Sequence, residues 1–381
     1  SADERDPEGL TEDESLAAVQ SLQPLLDYVH IVAGTSASLG GAVHIVPPMA
    51  IEAAYLAKEA GTFKAGLSIP LFVTGRINQP QEAELILARG QADVCGMTRA
   101  LICDPQMPNK TDDGRVEDVR ACIACNQACI GHFHKGLPIS CIQHPETGRE
   151  LIFGQRQATV KRKRIMVVGG GPAGMKAAAV AAQRGYEVTL YEASAQLGGQ
   201  VLLAQLLPRR SEFGGASTNL QREMQLAGVR VVRNTRVDRA LVEQEKPDTV
   251  IVATGAEPYW PPFERGGELH VVDAWQVLRE EVKIGRSVVV VDWRCDWIGP
   301  GIAERLTRAG HQVQLAVNGT HCGENLPLYV RDQLAGELHK LAIPVIPYAR
   351  LYGCDDNTVY LQHTASGEPM LMENVDTLVL C

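Results

Sequence analysis

No stretch of this chain stays apolar for the roughly 20 residues that span a bilayer. Its opening, Ser1-Ala-Asp-Glu-Arg-Asp, lacks the basic segment that begins a secretory signal. A basic stripe is missing too. The net charge is −9, and the longest basic run, Lys161-Arg-Lys-Arg164, abuts an apolar strand and reads as a solvated linker. No basic stripe is therefore available to neutralise a row of phosphates, which disfavours a nucleic-acid partner, and no membrane partner is expected. Disulfide scaffolding is also disfavoured. The chain is large, six of its ten cysteines are scattered, and secretion has no support. These absences place the protein in a reducing cytoplasm. What is present is ordinary for a soluble globular protein: 381 residues, 45% apolar and 21% charged, enough for two or three domains with a sizeable core.

The other four cysteines are concentrated in Cys122-Ile-Ala-Cys125-Asn-Gln-Ala-Cys129 and, eleven residues on, Cys141. Four thiolates suit a cubane iron–sulfur cluster, one per iron. They also suit a structural zinc in a tetrahedron. Zinc sites usually present two separate C-x2-C knuckles, and the second is missing, so the spacing favours the cluster.

Both ends look cut. The first residue is not Met, and Val375-Asp-Thr-Leu-Val-Leu-Cys381 reads as a buried strand with no cap after it. The expectation is a piece of a longer polypeptide.

Residues 1–110 alternate strand and helix. Strands are expected at Tyr28–Ala33, Ile69–Thr74 and Ala92–Cys95, and helices at Ile51–Gly61 and Ala83–Ala88. The second helix is announced by Asn78-Gln-Pro80 and closed by Gly90. Such alternation means parallel βαβ units, three of them, too few to close a barrel. Residues 111–163 are loop-rich and hold the cysteines.

At residue 164 the pattern becomes a nucleotide-binding one. Strand Ile165–Val168 runs into Gly169-Gly-Gly171-Pro172-Ala173-Gly174, then an alanine-rich helix, then strand Glu187–Tyr191 ending at Glu192. A lone G-x-G-x-x-G is weak evidence. One that follows a strand, opens a helix and is answered by an acid after the next strand is the full dinucleotide fingerprint. Gly169 permits the turn, Gly171 lets backbone approach a pyrophosphate, and Gly174 lets helix and sheet pack. Unpaired N–H groups at the helix start favour phosphate. Glu192 suits a ribose diol and repels a 2′-phosphate.

A second such unit begins at Ser287-Val-Val-Val-Val291, but its turn is altered. Asp292 stands where the first glycine belongs, and Trp293-Arg-Cys-Asp-Trp297 precedes Gly299-Pro-Gly301. A carboxylate about 4 Å from a pyrophosphate charge costs on the order of 4 kcal/mol at an effective dielectric near 20. The expectation is a retained fold that has lost NAD(P)H, and a variant loop that still binds nucleotide is the alternative.

Gly75-Arg76 and Gly96-Met97-Thr98-Arg99 each follow an expected strand, where barrel loops commonly build a phosphate site. Glycine allows close N–H approach and arginine a bidentate charged donor. Either arginine could equally be a surface residue.

The runs Gly75-Arg-Ile-Asn78 and Gly96-Met-Thr-Arg-Ala-Leu-Ile-Cys-Asp-Pro105, the cysteine spacing followed by Ser140-Cys-Ile-Gln-His-Pro-Glu-Thr-Gly-Arg149, and the Gly169–Gly174 fingerprint together carry a family resemblance. Over nearly the whole chain the sequence resembles the old yellow enzyme-related multidomain iron–sulfur flavoproteins. These include 2,4-dienoyl-CoA reductase, trimethylamine and histamine dehydrogenases, and N-methylproline and dimethylglycine demethylases. With Asp292 it looks most like the demethylase branch.

The resemblance implies an α/β chain in four parts. Residues 1–110 would be the last three βα units of a (β/α)8 TIM barrel, and 111–163 a [4Fe–4S] segment and linker. Residues 164–282 would form a Rossmann-like FAD/ADP-binding domain, and 283–381 a degenerate NAD(P)-binding-like domain. It implies FMN, with Gly75, Arg76, Gly96, Met97, Thr98 and Arg99 around its phosphate, and a cluster on Cys122, Cys125, Cys129 and Cys141. Leu197-Gly198-Gly199-Gln200 and Val252-Ala-Thr254-Gly255 resemble the segments that flank the adenine dinucleotide in two-dinucleotide-domain flavoproteins, which points to FAD or a bare ADP.

Implied too are oxidative demethylation of a small N-methylated amine and an external electron carrier such as an electron-transferring flavoprotein. The alternatives are an NAD(P)H-dependent enoate or dienoyl-CoA reductase and a non-catalytic electron-transfer module. A homo-oligomer is left open. The reductase branch carries a catalytic His after the strand equivalent to Tyr28–Ala33. Here that loop has only His44, far from its start, and His30 reads as structural, so no catalytic residue is assigned. Without the earlier barrel strands, the chain alone is expected to be inactive.

Overall fold

The computed structural model describes residues 1–154 and 157–381, which fall into two compact units. The first comprises Ser1–Leu202 with Glu212–Gly255, the second Leu203–Ser211 with Ala256–Cys381.

The first unit opens with three adjacent parallel strands, β1 (Val29–Ile31), β2 (Leu71–Val73) and β3 (Val94–Cys95). Helices Ala57–Gly66 and Pro80–Ala88 make the crossovers. Leu56, Phe63, Leu71 and Val73 are nearly inaccessible and form the centre of this layer. Pro80 occupies the first turn of its helix, where its missing N–H is no loss, and the Glu82 carboxylate accepts from the N–H groups of Asn78 and Gln79. The earlier helix starts at Ala57 rather than Ile51. Ala54 has a left-handed backbone (φ 52°) and its N–H donates to the Arg76 carbonyl, so residues 51–56 are turns tied to the β2 loop.

Four further parallel strands, β4 (Arg164–Val168), β5 (Glu187–Tyr191), β6 (Arg230–Val232) and β7 (Thr249–Val252), lie in the order β6-β5-β4-β7. Strand order reverses beside β4, which opens a crevice at its carboxyl end. Helix Pro172–Gln183 packs on the sheet through Met175, Ala178 and Ala179, all fully buried, and the small alanines bring the helix close. Helix Phe213–Leu226 ties this fold to the cysteine segment. Arg222 grips Asp118, Glu223 pairs with both Arg120 and Lys176, and Asn219 donates to Gln143 and to the Ala121 carbonyl.

The second unit contains β8 (Glu264–Arg265), β9 (His270–Asp273), β10 (Ser287–Asp292), β11 (Gln312–Val317), β12 (Val345–Ile346), β13 (Ala349–Cys354), β14 (Val359–His363), β15 (Pro369–Met372) and β16 (Thr377–Leu380). Its parallel sheet runs β12-β11-β10-β16-β9, and β13-β14-β15 form an antiparallel meander flanked by β8. Val288–Val291 read as a continuous apolar run because both faces are covered. Val288 and Val290 meet Ile302 and Leu315, whereas Val289 and Val291 meet Leu361 and Leu378. The segment 256–282, grouped above with the first dinucleotide-binding region, supplies β9 to this second sheet. Among the described residues no helix is long and apolar enough to cross a membrane.

Candidate functional site

Cys122, Cys125, Cys129 and Cys141 line one cavity of about 20 Å³, together with Arg99, Ile123 and Asn126. Backbone geometry aims them there. Ala124 (φ 48°) and Asn126 (φ 58°) are both left-handed, so Cys125 sits between two non-glycine residues in a sparsely populated conformation. The side chain of Asn126 is fully buried. It donates to the Val46 carbonyl and accepts from Arg99, whose same nitrogen reaches the Pro47 carbonyl. Met49 N–H donates to the Ala124 carbonyl, so two strained residues are held by the barrel loop.

Burial pushes the Cys122, Cys125 and Cys129 thiols up, against the pull of nearby N–H groups and, at Cys122 and Cys129, of Arg99. The neighbouring Cys141, with burial, drives Cys103 up, and Cys103 in turn lowers Cys141 to about 6. Among the described residues no three ligating side chains close to metal-binding distance, so the geometry shows four thiols lining one cavity. That donor set fits a metal cluster. Buried thiols resist ionisation until a cation supplies the charge that solvent no longer does.

Arg76 is buried, has a left-handed backbone (φ 54°), and pairs with Glu212. Burial and the like charge of Arg99 lower it to about 10, and its Nε has no hydrogen-bond partner. An orphaned donor beside a second guanidinium is where an anion fits. Gly75 and Gly96 are needed for packing as well. A Cβ on Gly96 would lie 1.9 Å from Thr74 Oγ1, and one on Gly75 3.0 Å from the Tyr55 ring. Met97 precedes the short helix Thr98–Cys103 and packs on the barrel core. Thr98 opens that helix.

The other expected residues gather round the carboxyl end of β4. Gly169 (φ 109°) leaves the strand, Gly171 caps helix Pro172–Gln183, with Pro172 and Ala173 in its first turn, and Gly174 packs on Gly169. The Leu197–Gln200 loop closes on this turn through Gly198 N–H to the Gly170 carbonyl, 2.8 Å. A Cβ on Gly199 would come 3.1 Å from Gly171 Cα, and one on Gly255 3.6 Å from Gln200 Nε2. Thr254 lies beside Gly169, and Gln200, Thr254 and Gly255 face solvent. Glu192 is already engaged. Its oxygens accept from Gly170 N–H (2.7 Å) and from Ser194 N–H and Oγ, which outweigh partial burial and hold its carboxyl below the usual range.

The second turn is built differently. Gly299 packs against Asp292 as Gly174 packs against Gly169, so the intervening turn is two residues longer and Asp292 takes the first-glycine position. Asp292 is fully buried. Its Oδ1 accepts from the N–H groups of Arg294 (3.0 Å) and Cys295 (2.9 Å), while Oδ2 has no partner. Burial and the nearby Asp296 push it up to about 7. An unfolded Asp titrates near 3.9, so between these values the folded chain holds a proton that the unfolded chain has released. Stability is full below about pH 4 and falls by roughly 1.4 kcal/mol per pH unit, up to about 4 kcal/mol, as pH rises through 7. Thermal melting of this unit is therefore expected to drop from pH 5 to pH 8, and Asp292→Asn to flatten that slope. An unchanged slope in the variant refutes the assignment.

His30 Nε2 bonds Thr74 Oγ1, and burial lowers His44, which packs against Tyr55. Cys103 and Asn126 escaped sequence reasoning. Cys103 is one of the scattered cysteines, and only the fold sets it beside Cys141. Asn126 had one available signal, its place between two cysteines of the motif.

Residues 163–381 match the pyridine nucleotide-disulphide oxidoreductase family, and residues 39–118 the NADH:flavin oxidoreductase / NADH oxidase family. The chain is 32% identical over 350 residues to N,N-dimethylglycine/sarcosine dehydrogenase of Chromohalobacter salexigens, covering 87% of this chain and 50% of the relative. It is 35% identical over 321 residues to an NADH oxidase of Thermoanaerobacter brockii, covering 83% and 48%. A solved structure of 2-naphthoyl-CoA reductase with 2-naphthoyl-CoA superposes with a TM-score of 0.88 at 26% identity, covering 100% of this chain and 57% of that one. The chain spans about half the length of the curated relatives it matches. The two families imply FMN for the first region and FAD or NAD for the second. A fingerprint turn at β4, a second and altered turn at β10, and flavin-oxidoreductase barrel strands before them have one common source: the chain belongs to the pyridine nucleotide-disulphide oxidoreductase family, in the branch joined to an old yellow enzyme-like barrel.

Proposed function

We propose that this chain is the electron-handling part of an enzyme that oxidatively demethylates a small N-methylated amine and passes the electrons to an external carrier. The observation that carries the reading is the Asp292 turn. In a reductase fed by NAD(P)H, the second dinucleotide turn must accept a pyrophosphate. Here a buried carboxylate of the chain itself, Asp292, stands in the first-glycine position and takes two of the loop N–H groups, those of Arg294 and Cys295. Electrons then enter from substrate, in keeping with the similarity to a dimethylglycine/sarcosine dehydrogenase.

When bound, FMN supplies two-electron oxidation of a C–H beside nitrogen, and a four-thiolate iron–sulfur cluster supplies single-electron transfer. This chain's residues bind and orient. Arg76 and Arg99, with Gly75, Gly96, Met97 and Thr98, form the flavin-phosphate end. Cys122, Cys125, Cys129 and Cys141 hold the cluster. The Gly169–Gly174 turn, Glu192, Gly198–Gln200 and Thr254–Gly255 hold an FAD or ADP. Asn126 and Arg99 brace the cysteine loop against the barrel loop, which keeps the two redox groups in fixed register. The oxidised substrate is an iminium, and water releases its methyl carbon as formaldehyde.

Turnover of sarcosine and N,N-dimethylglycine by protein with a complete barrel, with a one-electron dye as acceptor, tests this. One formaldehyde per two electrons is expected. Rapid bleaching of the flavin by NADPH with no amine turnover would reverse the assignment and favour the enoate reductase reading.

A further inference from the structure

We propose that the second unit binds an adenine mononucleotide in a cavity beside the altered turn, a ligand with one base and one phosphate rather than a dinucleotide. The proposal does not depend on the amine reading. A cavity of about 570 Å³ is lined by Pro261–Phe263 before β8 and Glu264 at its start, Val291 and Trp293 at the end of β10, Asn318 after β11, and Ala349–Tyr352 of β13. Its volume is that of an ordinary small-molecule site. It lies at the carboxyl ends of β10 and β11, the end of an open parallel sheet where ligands bind. Asn318 directly follows β11 as Glu192 follows β5, so it holds the position that reads the adenosine half in a dinucleotide fold.

Each polar lining group has a task that the protein itself leaves undone. Among the described residues the side chains of Glu264, Asn318 and Tyr352 make no hydrogen bond or ion pair, and neither does the Trp293 indole N–H. Arg350 reaches only the amide oxygen of Gln362 (2.5 Å) and no carboxylate. Trp293 is braced edge-on by Tyr259, with ring centroids 6.2 Å apart, which presents a fixed aromatic surface. An aromatic wall stacks a base, and an asparagine amide pairs with the donor–acceptor edge of adenine. A free carboxylate accepts from a ribose diol, and a guanidinium without a carboxylate takes a phosphate. The lining holds a single guanidinium, and Asp292 occupies two N–H groups of the altered turn, those of Arg294 and Cys295. One phosphate is what remains.

Calorimetric titration of the purified holoprotein with AMP, adenosine and NADH tests the site. Saturable AMP binding is expected, with NADH no tighter than AMP and adenosine about tenfold weaker. Arg350→Ala should weaken AMP about tenfold and leave adenosine unchanged, because only the phosphate contact is lost. Trp293→Leu should weaken both about tenfold and abolish the tryptophan fluorescence change on binding. Should Trp293→Leu misfold, Arg350→Ala carries the test, since Arg350 is exposed. AMP affinity that is the same in wild type and Arg350→Ala assigns any binding to the Gly169–Gly174 turn and overturns the proposal. So does NADH binding tenfold tighter than AMP, or no saturation by about 1 mM.

Discussion

Cys125→Ser is expected to strip the protein of its iron–sulfur absorption and of most of its iron and acid-labile sulfide. Flavin and dinucleotide should remain. Cys125 is flanked by Ala124 and Asn126, both left-handed, and that strain is sustained only by contacts: Asn126 to Val46, Asn126 to Arg99, and Met49 to Ala124. A loop that merely crossed the surface would relax it. Here it is held so that three close cysteines and the returning Cys141 line one cavity. A serine hydroxyl is harder and less readily ionised than a thiol, so one of four ligands is lost and the cluster with it. Electron delivery to a one-electron acceptor should fall by about two orders of magnitude, while the rate at which substrate reduces the flavin stays near its original value. Cys103→Ala is the matched control, since Cys103 touches Cys141 without lining the cavity, and it should keep its iron. Stoichiometric zinc in the wild type, or iron content unchanged in Cys125→Ser, would falsify the assignment of the four thiols.

The same loop marks the limit of what the residues alone disclose. The C-x2-C-x3-C spacing is visible in one dimension because ligand spacing is a local requirement. So is the glycine fingerprint, where each glycine answers to a turn or a close approach within a few residues. The alternation that marks the three barrel strands is equally local. Less accessible are contacts across many residues. Arg76 pairs with Glu212, 136 positions away, and nothing near either residue announces it. The helix expected from Ile51 starts six residues later, at Ala57, because an apolar helical spacing cannot register that Ala54 is anchored to the Arg76 carbonyl. Asp292 is the instructive case. Its sequence position showed that a glycine was missing, but only the fold shows its carboxylate turned inward onto the loop N–H groups.

Two glycines of the β4 turn should fail for different reasons, and the contrast tests whether the turn holds a ligand at all. At Gly174 a Cβ would lie 1.9 Å from the Gly169 carbonyl oxygen and 3.3 Å from Ala253 Cβ. Neither is the end of a flexible side chain, so the helix must move off the sheet. Overpacking of this kind costs typically about 1–3 kcal/mol, and Gly174→Val should lie at or beyond that range, with a lower melting temperature and dinucleotide affinity reduced at least about 100-fold. At Gly171 a Cβ meets nothing within 4 Å. Gly171→Ala should therefore leave the melting temperature of the ligand-free protein unchanged, because the residue sits in extended backbone (φ −73°, ψ 175°) that alanine adopts freely. Yet that open space is where a pyrophosphate approaches the helix start, so the added methyl should weaken FAD or ADP binding about tenfold or more. Stability lost at one glycine and affinity lost at both separates packing from recognition. If Gly171→Ala binds both nucleotides as tightly as the wild type, the turn is a packing device, and the dinucleotide assignment at β4 fails whatever Gly174→Val does.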